Sequence, residues 1–297
     1  MKAVLFYYSQ SGQALRAAEN ICKGFEKTDV ICKEIIPLEH FPFPWSRREF
    51  FEVFPETRLG ICTSGIAPLN LTDVQDADIV IIAAQSWFLS PSLPLLSFLC
   101  NENVKNFLKG REVVFVNVCR NMWLKTSEAL KLKFKEIGAS FRGQIILQDS
   151  ASNYVSAITI VRWLLHGKKQ ATKILPEAGV SEGELAAAAK FGKVIESSLL
   201  SGNTATLQDE LLNEGAIKYR PSILSLEKTA YPIFGRWAKF IRKKGGYREP
   251  KRQFRVNLFY FYLLFVLFVL SPFAQLVFLL TRPLRNIKSN KLRDCKL

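Results

Sequence analysis

Short apolar runs alternate with helical patterns from the start of this 297-residue chain to about residue 165. One of them, ADIVIIAA at 77–84, is almost continuously apolar, which is typical of a central parallel strand that is buried on both faces. The apolar runs predict five strands, at 3–8, 30–36, 77–84, 112–118 and 141–147. Between them apolar residues recur three and four positions apart, as at Leu15, Ala18 and Ile21. This spacing predicts helices with one buried face.

The alternation predicts an α/β fold, a doubly wound parallel sheet with helices on both faces. Five such units make the flavodoxin-like arrangement, with the strand order 2-1-3-4-5. In such sheets ligands bind at the carboxyl ends of the strands, where the order reverses between strands one and three. Three irregular loops follow predicted strands, at 9–13, 85–91 and 119–123. We expect these loops to meet at one edge of the sheet.

The loop at 9–13 reads SQSGQ and stands between a strand and a helix, which is the layout of a phosphate site. Serine hydroxyls can donate to a phosphate, and Gly12 allows a turn that a Cβ would obstruct. The loop lacks the lysine of a P-loop and the glycines of a dinucleotide fingerprint. It looks like the phosphate loop of flavodoxin-like FMN proteins, and the alternative is a plain turn with a serine N-cap. The predicted FMN ligands here are Ser9, Gln10, Ser11, Gly12 and Gln13.

The second loop offers aromatic side chains for the flat isoalloxazine ring of FMN, which stacking holds well. Trp87 or Phe88 could stack on or flank the ring, and Trp87 could instead be a core aromatic residue. The predicted FMN ligands in this loop are Gln85, Ser86, Trp87 and Phe88.

The third loop contributes the predicted ligands Cys119, Arg120 and Asn121, of which Arg120 and Asn121 are the candidate catalytic residues. A cation near the N1/C2 edge of a flavin would favour its anionic reduced form. A surface ion pair is the alternative role for Arg120.

Neither a metal site nor a secretory leader is indicated. The start has no charged and apolar leader segment before a cleavage site. Six cysteines and two histidines show no metal-like spacing, so we predict no metal and expect reduced thiols in a cytosolic compartment. The cysteines are Cys22, Cys32, Cys62, Cys100, Cys119 and Cys295.

A long insertion at 37–72 interrupts the pattern after the second strand. Its FPFPW stretch at 41–45 cannot continue a helix or a central strand, because two of its residues are prolines. Its many aromatic residues argue against disorder. A satellite core under the loop and an apolar wall of a substrate pocket are both consistent with this composition.

The positive charge of the chain lies at its C-terminal end. Residues 218–255 hold twelve Lys or Arg against two Glu, and residues 282–297 hold six against one Asp, so residues 1–217 carry no net charge. This distribution argues against a nucleic-acid-binding catalytic domain. We therefore predict no nucleic-acid partner.

Residues 256–281 contain no charged residue and are bounded by Arg255 and Arg282. About 20 apolar residues span a bilayer as a helix, and basic flanks suit anionic lipid head groups. Pro272 allows either a kinked spanning helix or a re-entrant segment, and a buried core helix is the non-membrane alternative. We predict a C-terminal hydrophobic membrane helix that holds the protein at the cytoplasmic face of the inner membrane.

These observations divide the chain into four parts. We predict a flavodoxin-like FMN-binding domain at 1–170, which includes the insertion. A helical and basic linker region follows at 171–254, then a membrane segment at 255–282. A basic tail closes the chain at 283–297.

Six short segments together resemble the flavodoxin-like dialkylresorcinol condensing enzymes of the DarA type. They are YYSQSGQ at 7–13, FPFPW at 41–45, QSWFLSPSLP at 85–94, CRNMW at 119–123, ITIVRWLLHGKK at 158–169 and KRQFRV at 251–256. The resemblance covers nearly the whole chain. It implies a role in making 2,5-dialkylresorcinols, the lipid-like phenols of flexirubin-type pigments, together with a ketosynthase that joins two acyl-derived chains.

Such family members are named both condensing enzymes and aromatases, and chemistry favours the second role here. Condensation needs an activated nucleophile, commonly Cys with His, and nothing in the sequence places His40 or His166 near Cys119. Turning a dialkylcyclohexane-1,3-dione into a resorcinol removes two hydrogens, which FMN can accept. The expected substrate is therefore a lipophilic small molecule that is oxidised by an FMN-dependent oxidoreductase.

Two other classes remain open at this point. The chain could be an NAD(P)H:quinone or FMN reductase, which also acts on membrane-soluble substrates. It could also be an accessory protein without flavin that holds the ketosynthase at the membrane. A yellow purified protein would exclude the accessory class.

Overall fold

A parallel five-stranded sheet forms the centre of the structure, a computed structural model that describes residues 1–270. The hydrogen-bonded order is β2-β1-β3-β5-β6, and the two-residue strand β4 pairs antiparallel with β3. When β4 is left out and the other strands are numbered one to five, this is the predicted flavodoxin-like order 2-1-3-4-5. The strands are β1 (Lys2–Tyr7), β2 (Asp29–Glu34), β3 (Ile79–Trp87), β4 (Ser90–Pro91), β5 (Glu112–Cys119) and β6 (Ser140–Gln148).

Both faces of the sheet are covered, which is why its central strands read as continuous apolar runs. Successive residues of a strand point to opposite faces. In β3, Ile79 and Ile81 therefore belong to one core cluster, while Val80 and Ile82 belong to the other. All four are fully buried.

Twelve α-helices surround the sheet within residues 1–270. Residues of α1, α8, α9 and α10 join one core cluster, and residues of α4, α5 and α6 join the other. The helices are α1 (Gln13–Cys22), α2 (Arg47–Glu52), α3 (Phe54–Leu59), α4 (Leu93–Cys100), α5 (Glu102–Leu108), α6 (Leu124–Ile137), α7 (Asn153–His166), α8 (Glu182–Ala186), α9 (Ala189–Leu200), α10 (Leu207–Asn213), α11 (Pro221–Arg242) and α12 (Gln253–Phe265).

The region predicted to be a linker, 171–254, is in large part core. Leu185, Ile195 and Leu211 are fully buried against the sheet and α1. Close packing explains one glycine, because a Cβ on Gly192 would lie 2.0 Å from the carbonyl oxygen of Ile21. The linker prediction is corrected for this reason: the sheet face beside α1 needs an apolar cover, and α8 to α10 provide it.

The insertion at 37–72 builds a third core with the C-terminal helices. This aromatic core consists of Phe51, Phe54, Ala238, Ile241, Val256 and Phe259. The rings of Phe54 and Phe259 stack with centroids 3.7 Å apart and planes 10° apart. The satellite core expected as one reading of the insertion is therefore present, and it is completed by α11 and α12.

A disulfide corrects one part of the cysteine prediction. Cys62 of the insertion is bonded to Cys100 at the end of α4, with an S–S distance of 2.01 Å. Cys22, Cys32 and Cys119 are free thiols. The expectation of reduced thiols is therefore wrong for one pair.

One apolar helical segment, Pro250–Val269, is long enough to cross a bilayer by length and composition. Only 17% of its most apolar window is buried, although a core helix of a soluble protein can pass the same test. The last part of the predicted membrane segment, 271–282, and the predicted basic tail, 283–297, lie outside the described residues.

Candidate functional site

The three predicted site loops lie at the carboxyl edge of the sheet. Strand β3 pairs with β1 on one side and with β5 on the other, all in parallel, so the loops after these strands are neighbours. The backbone N–H of Tyr8 continues the pairing by donating to the carbonyl of Ala83 at 3.0 Å. The switch point between β1 and β3 is thus where the sequence predicted it.

Gly12 makes an open cradle at the start of α1. Its φ of +85° lies in the left-handed region, and a Cβ built on it would meet nothing within 4 Å. In the described part of the chain no side chain caps this end of α1, so the serine N-cap considered as an alternative is not formed. The first N–H groups of a helix attract anions through their unpaired hydrogens and partial positive charge. The cradle therefore fits a phosphate.

Several of the buried polar atoms that lack hydrogen-bond partners lie at the same edge, while others are spread over the rest of the described chain. Within residues 1–270 those at this edge include the Ser9 hydroxyl, both polar side-chain atoms of Gln85 and the Asn121 Oδ1 atom. Leaving such a group unpaired costs about 1–3 kcal/mol, so proteins rarely bury one without a ligand, a water or a role. A phosphate and a ring with carbonyl and N–H groups would pair these atoms, so the residues present fit FMN.

Two predicted ligands of the first loop are occupied by protein contacts instead. The buried Gln13 side chain donates to the Val180 carbonyl at 2.7 Å and accepts from the Val180 N–H at 3.2 Å. Gln10 donates to the Pro42 carbonyl at 3.0 Å. Within residues 1–270, Ser9, Ser11 and Gly12 are thus the loop residues that remain without a competing side-chain hydrogen bond.

Both aromatic rings of the second loop pack against other aromatic residues of the protein. Trp87 is 9% exposed and meets Tyr8, Phe41 and Trp45 edge to face, with centroids 5.4 to 6.2 Å apart. Phe88, at a positive φ of 47°, packs on Phe50, Phe51 and Phe54 of the insertion. Both rings form the wall between the site and the insertion. Ser86 pairs with the Asn117 side chain on β5.

Arg120 and Asn121 bind the same partner. The Arg120 guanidinium donates to the carbonyl and the side-chain Oδ1 of Asn153, both at 3.0 Å, and the Asn121 amide donates to that Oδ1 at 3.1 Å. Burial lowers the pKa of Arg120 to about 10, opposed by the nearby Asp149 carboxylate, so the group stays a cation at neutral pH. The third loop therefore carries one positive charge at the edge of the sheet.

Helix α7 crosses over the carboxyl edge, which the sequence did not indicate. Its first residue, Asn153, binds the third loop, and near its end the Leu164 carbonyl accepts the N–H of Trp45 at 2.7 Å. Trp163 contacts Phe43 at a centroid distance of 5.6 Å. The buried face of α7 consists of four small or polar residues, Asn153, Ser156, Ala157 and Thr159, and of the large ring of Trp163 near the end of the helix. The helix therefore roofs the candidate site.

Glu227 of α11 is a second residue that sequence reasoning missed. Its fully buried carboxylate accepts the N–H groups of Leu124 and Lys125, at 3.2 and 2.8 Å, at the start of α6. Burial raises the pKa of this carboxyl above its ordinary value, while the backbone donors oppose that shift. Glu227 thus holds the end of the third loop from outside the predicted domain.

The free thiols differ in their expected reactivity. Burial raises the pKa of Cys119, whereas a hydrogen bond with Cys22, with the sulfurs 3.1 Å apart, lowers the pKa of the exposed Cys32. A lower pKa gives more thiolate, the reactive form, at neutral pH. We expect iodoacetamide to modify Cys32 in the folded protein well before Cys119, as measured by peptide mass mapping.

Unfolding the protein in denaturant supplies the control for this experiment, since both thiols should then react. Modification of Cys119 at the rate of Cys32 in the folded protein would contradict the prediction. It would also reopen the possibility of a reactive Cys119.

Comparison with known proteins finds likeness only at the level of structure. No protein-family model matches the sequence, and no curated protein matches it. A flavodoxin from the domain Archaea has a TM-score of 0.40 and 14% identity, over 67% of this chain and 99% of its own. A flavoprotein in complex with FMN from Lactobacillus acidophilus NCFM has a TM-score of 0.41 and 19% identity, over 49% of this chain and 92% of its own.

A flavodoxin, WrbA-like protein from Agrobacterium tumefaciens gives a similar result, with a TM-score of 0.41 and 13% identity over 67% of this chain and 98% of its own. TM-scores below 0.5 do not transfer a cofactor or an activity to this chain. The strand order and the geometry of the carboxyl edge therefore carry the assignment of the fold as flavodoxin-like.

Proposed function

We propose that this protein binds FMN at the carboxyl edge of its sheet and acts there as a membrane-associated oxidoreductase on a lipophilic small molecule. The observation that carries the proposal is the open Gly12 cradle at an uncapped helix end. At the same edge, the Ser9 hydroxyl, the Gln85 side-chain amide and the Asn121 Oδ1 atom have no hydrogen-bond partner among the described residues. When bound, FMN supplies an acceptor for two electrons.

The residues of the chain have separable tasks in this proposal. Ser9, Ser11 and the N–H groups at the start of α1 hold the phosphate. Gln85 and Asn121 pair with polar atoms of the ring system, and Trp87 and Phe88 exclude water on the side of the insertion. Arg120, held by Asn153, places a positive charge where an enolate of the substrate develops.

The resemblance noted above supports a more specific substrate, a dialkylcyclohexane-1,3-dione that is oxidised to a dialkylresorcinol. The conversion removes a hydride and a proton, and the protons between the two carbonyls are acidic enough for a weak base. A ketosynthase-type partner would supply the dione. The alkyl chains make the substrate lipid-soluble, which agrees with an apolar C-terminal segment at the cytoplasmic face of the inner membrane.

Among the described residues, no cysteine and histidine pair is placed at the third loop, which favours oxidation over condensation. In the described residues Cys119 is buried, with its pKa raised by that burial, and neither histidine lines the third loop. His40 lies beside Glu39 and Arg248 in a groove of the insertion, and His166 ends α7. Carbon–carbon bond formation through an activated thiol has no support here.

The decisive experiment begins with the purified full-length protein in detergent. We expect the absorption bands of bound FMN and, on anaerobic mixing with the dione, bleaching of these bands in step with resorcinol formation. A purified protein that is colourless and does not bind added FMN would favour the class of accessory proteins without flavin. A yellow protein that does not react with the dione but oxidises NAD(P)H and reduces a quinone would favour the class of NAD(P)H:quinone reductases.

Arg120→Ala tests the proposed role of the cation. An interaction that strengthens as charge develops affects the reaction more than binding, and loss of one such contact commonly lowers kcat about 100- to 1,000-fold. We expect a loss of this size in the rate of dione oxidation, with the Kd of FMN changed only a few-fold, as measured by stopped-flow absorbance and FMN titration.

Arg142→Ala is the matched control, because Arg142 forms an ion pair with Glu112 at the opposite edge of the sheet, 2.9 Å apart. Arg142→Ala should change neither the rate of dione oxidation nor the Kd of FMN. Equal losses of FMN affinity and rate in Arg120→Ala would show that Arg120 only shapes the binding site.

A further inference from the structure

Helix α12 and the turn that continues it are apolar on two faces, of which one is buried in the aromatic core and the other is largely exposed among the described residues. Val256 and Phe259 face inward, are at most 1% exposed and belong to the aromatic core. The outward positions recur three and four residues apart and are between 42% and 77% exposed. We call them the apolar stripe: Phe254, Leu258, Phe261, Phe265 and Phe268.

The course of α12 relates this stripe to the candidate site. At its middle, Phe259 stacks on Phe54 of the insertion, and Phe54 also contacts Phe88, which follows β3. Beyond its end, Phe268 meets Tyr154 of α7 at a centroid distance of 5.8 Å. Tyr154 directly follows Asn153, which binds Arg120 and Asn121. The helix and the turn that continues it thus run along the carboxyl edge of the sheet.

Cations and amphipathic rings accompany the start of the stripe. Arg47 lies over the ring of Tyr260, with 4.8 Å between the guanidinium carbon and the centroid, and Arg255 lies over Phe240 at 3.9 Å. Trp237 and Tyr262 pack together at 4.9 Å. Basic residues suit the head groups of anionic lipids, and Trp and Tyr prefer the level between head groups and acyl chains.

We infer that the apolar stripe is a bilayer-contact surface, and that it holds the carboxyl edge of the sheet, with the roof helix α7, against the lipid. The amino edge then faces the aqueous side. For the route of the substrate this inference rests on the proposed function: a lipid-soluble dione reaches the site from the bilayer, past α7 and α12, without crossing bulk water.

A lipid bilayer is favoured as the occupant over a second copy of the chain. The sequence continues from the stripe without a charged residue as far as Thr281, and the flanks on both sides are basic. Apolar side chains that are exposed over several helical turns, next to cations and interfacial aromatic residues, match the composition of a membrane surface. An interface between two copies would bring these like charges together.

The test compares labels at the two edges of the sheet in the full-length protein. The background replaces three cysteines, as Cys22→Ser, Cys32→Ser and Cys295→Ser, and keeps the disulfide and the buried Cys119. A fluorophore is attached at Ser150→Cys, which follows β6 at the carboxyl edge, or at Lys109→Cys, which precedes β5 at the amino edge. Both positions are exposed. The protein is inserted into phosphatidylcholine–phosphatidylglycerol vesicles that contain a lipid with a nitroxide on its head group.

We expect several-fold stronger quenching of the Ser150→Cys label than of the Lys109→Cys label. Adding Phe261→Glu should weaken the quenching at Ser150→Cys, because a carboxylate in the stripe opposes contact with the acyl chains. Leu132→Glu is the control, since Leu132 is also an apolar residue exposed on a helix, at 65%. It should leave the quenching unchanged.

Equal quenching at both edges, or stronger quenching at Lys109→Cys, would overturn the inference. A different result would also overturn it: Phe261→Glu converts the protein from dimer to monomer in detergent, and neither label is quenched. In that case a second copy of the chain would cover the stripe. FMN content is measured on the same samples. Preferential quenching at Ser150→Cys in a protein that binds no FMN would refute the proposed function and support the contact surface.

Discussion

Gly12→Asp is expected to give a folded protein that no longer binds FMN. The carboxylate would stand at the start of α1, in the open space where the phosphate is proposed to bind. Two like charges about 4 Å apart repel by about 4 kcal/mol at an effective dielectric constant of 20, which corresponds to a loss of affinity of about 1,000-fold. FMN titration followed by fluorescence measures this loss, and circular dichroism establishes that the variant is folded.

Gly110→Asp separates charge from backbone strain in this experiment. Gly110 also has a positive φ, of 77°, and open space around a built Cβ, but it precedes β5 at the opposite edge of the sheet. Both variants should lose a similar amount of stability, and only Gly12→Asp should lose FMN. If folded Gly12→Asp kept FMN with the affinity of the unchanged protein, the phosphate site would lie elsewhere.

Arg252→Ala should have the largest effect on stability. Arg252 is fully buried at the start of α12 and binds Glu52 at 2.7 Å and Glu56 at 2.7 and 2.9 Å. Removing it leaves two carboxylates that are at most 5% exposed, of which Glu56 keeps an ion pair with Arg242. Breaking a buried ion pair by deleting one partner typically costs 3–5 kcal/mol. We expect the free energy of unfolding to fall by about that amount in detergent.

Lys251→Ala is the matched control, because its side chain is the exposed neighbour of Arg252. Arg252→Lys keeps the charge but loses the planar fork that binds two carboxylates, so its stability should be intermediate. Chemical denaturation followed by tryptophan fluorescence measures all three. A loss below about 1 kcal/mol for Arg252→Ala, the size expected of a surface ion pair, would show that this cluster does not join α12 to the insertion.

The strands could be predicted from sequence because they depend on local patterns, and the strand order then followed from the flavodoxin-like arrangement of five such units. Strands that are buried on both faces are largely apolar, as most of β3 and β5 is, and each parallel connection needs a long crossover, usually a helix. The first phosphate-type loop could also be found, because Gly12 must stand where a strand turns into a helix. Each of these features depends on residues that lie close together in the sequence.

Residues distant in sequence decided the rest of the site. Gln13 looked available as a ligand, but Val180 binds its side chain from 167 positions away. Arg120 is oriented by Asn153, and α6 is capped by Glu227 from α11. No local pattern indicates such pairs, because each partner is an ordinary polar residue until the chain brings the two together.

The sequence by itself determined the alternation of strands and helices, the SQSG turn, the basic C-terminal end and the apolar run that begins at Val256. Each follows from residues that are neighbours along the chain, through backbone geometry, hydrophobic periodicity or net charge. The tertiary structure alone decided that α8 to α10 cover the sheet, that α7 roofs the carboxyl edge and that α12 packs on the insertion. These arrangements depend on which apolar faces remain uncovered once the sheet has formed. Which faces remain uncovered is a property of the assembled sheet surface, and no single segment of the sequence determines it.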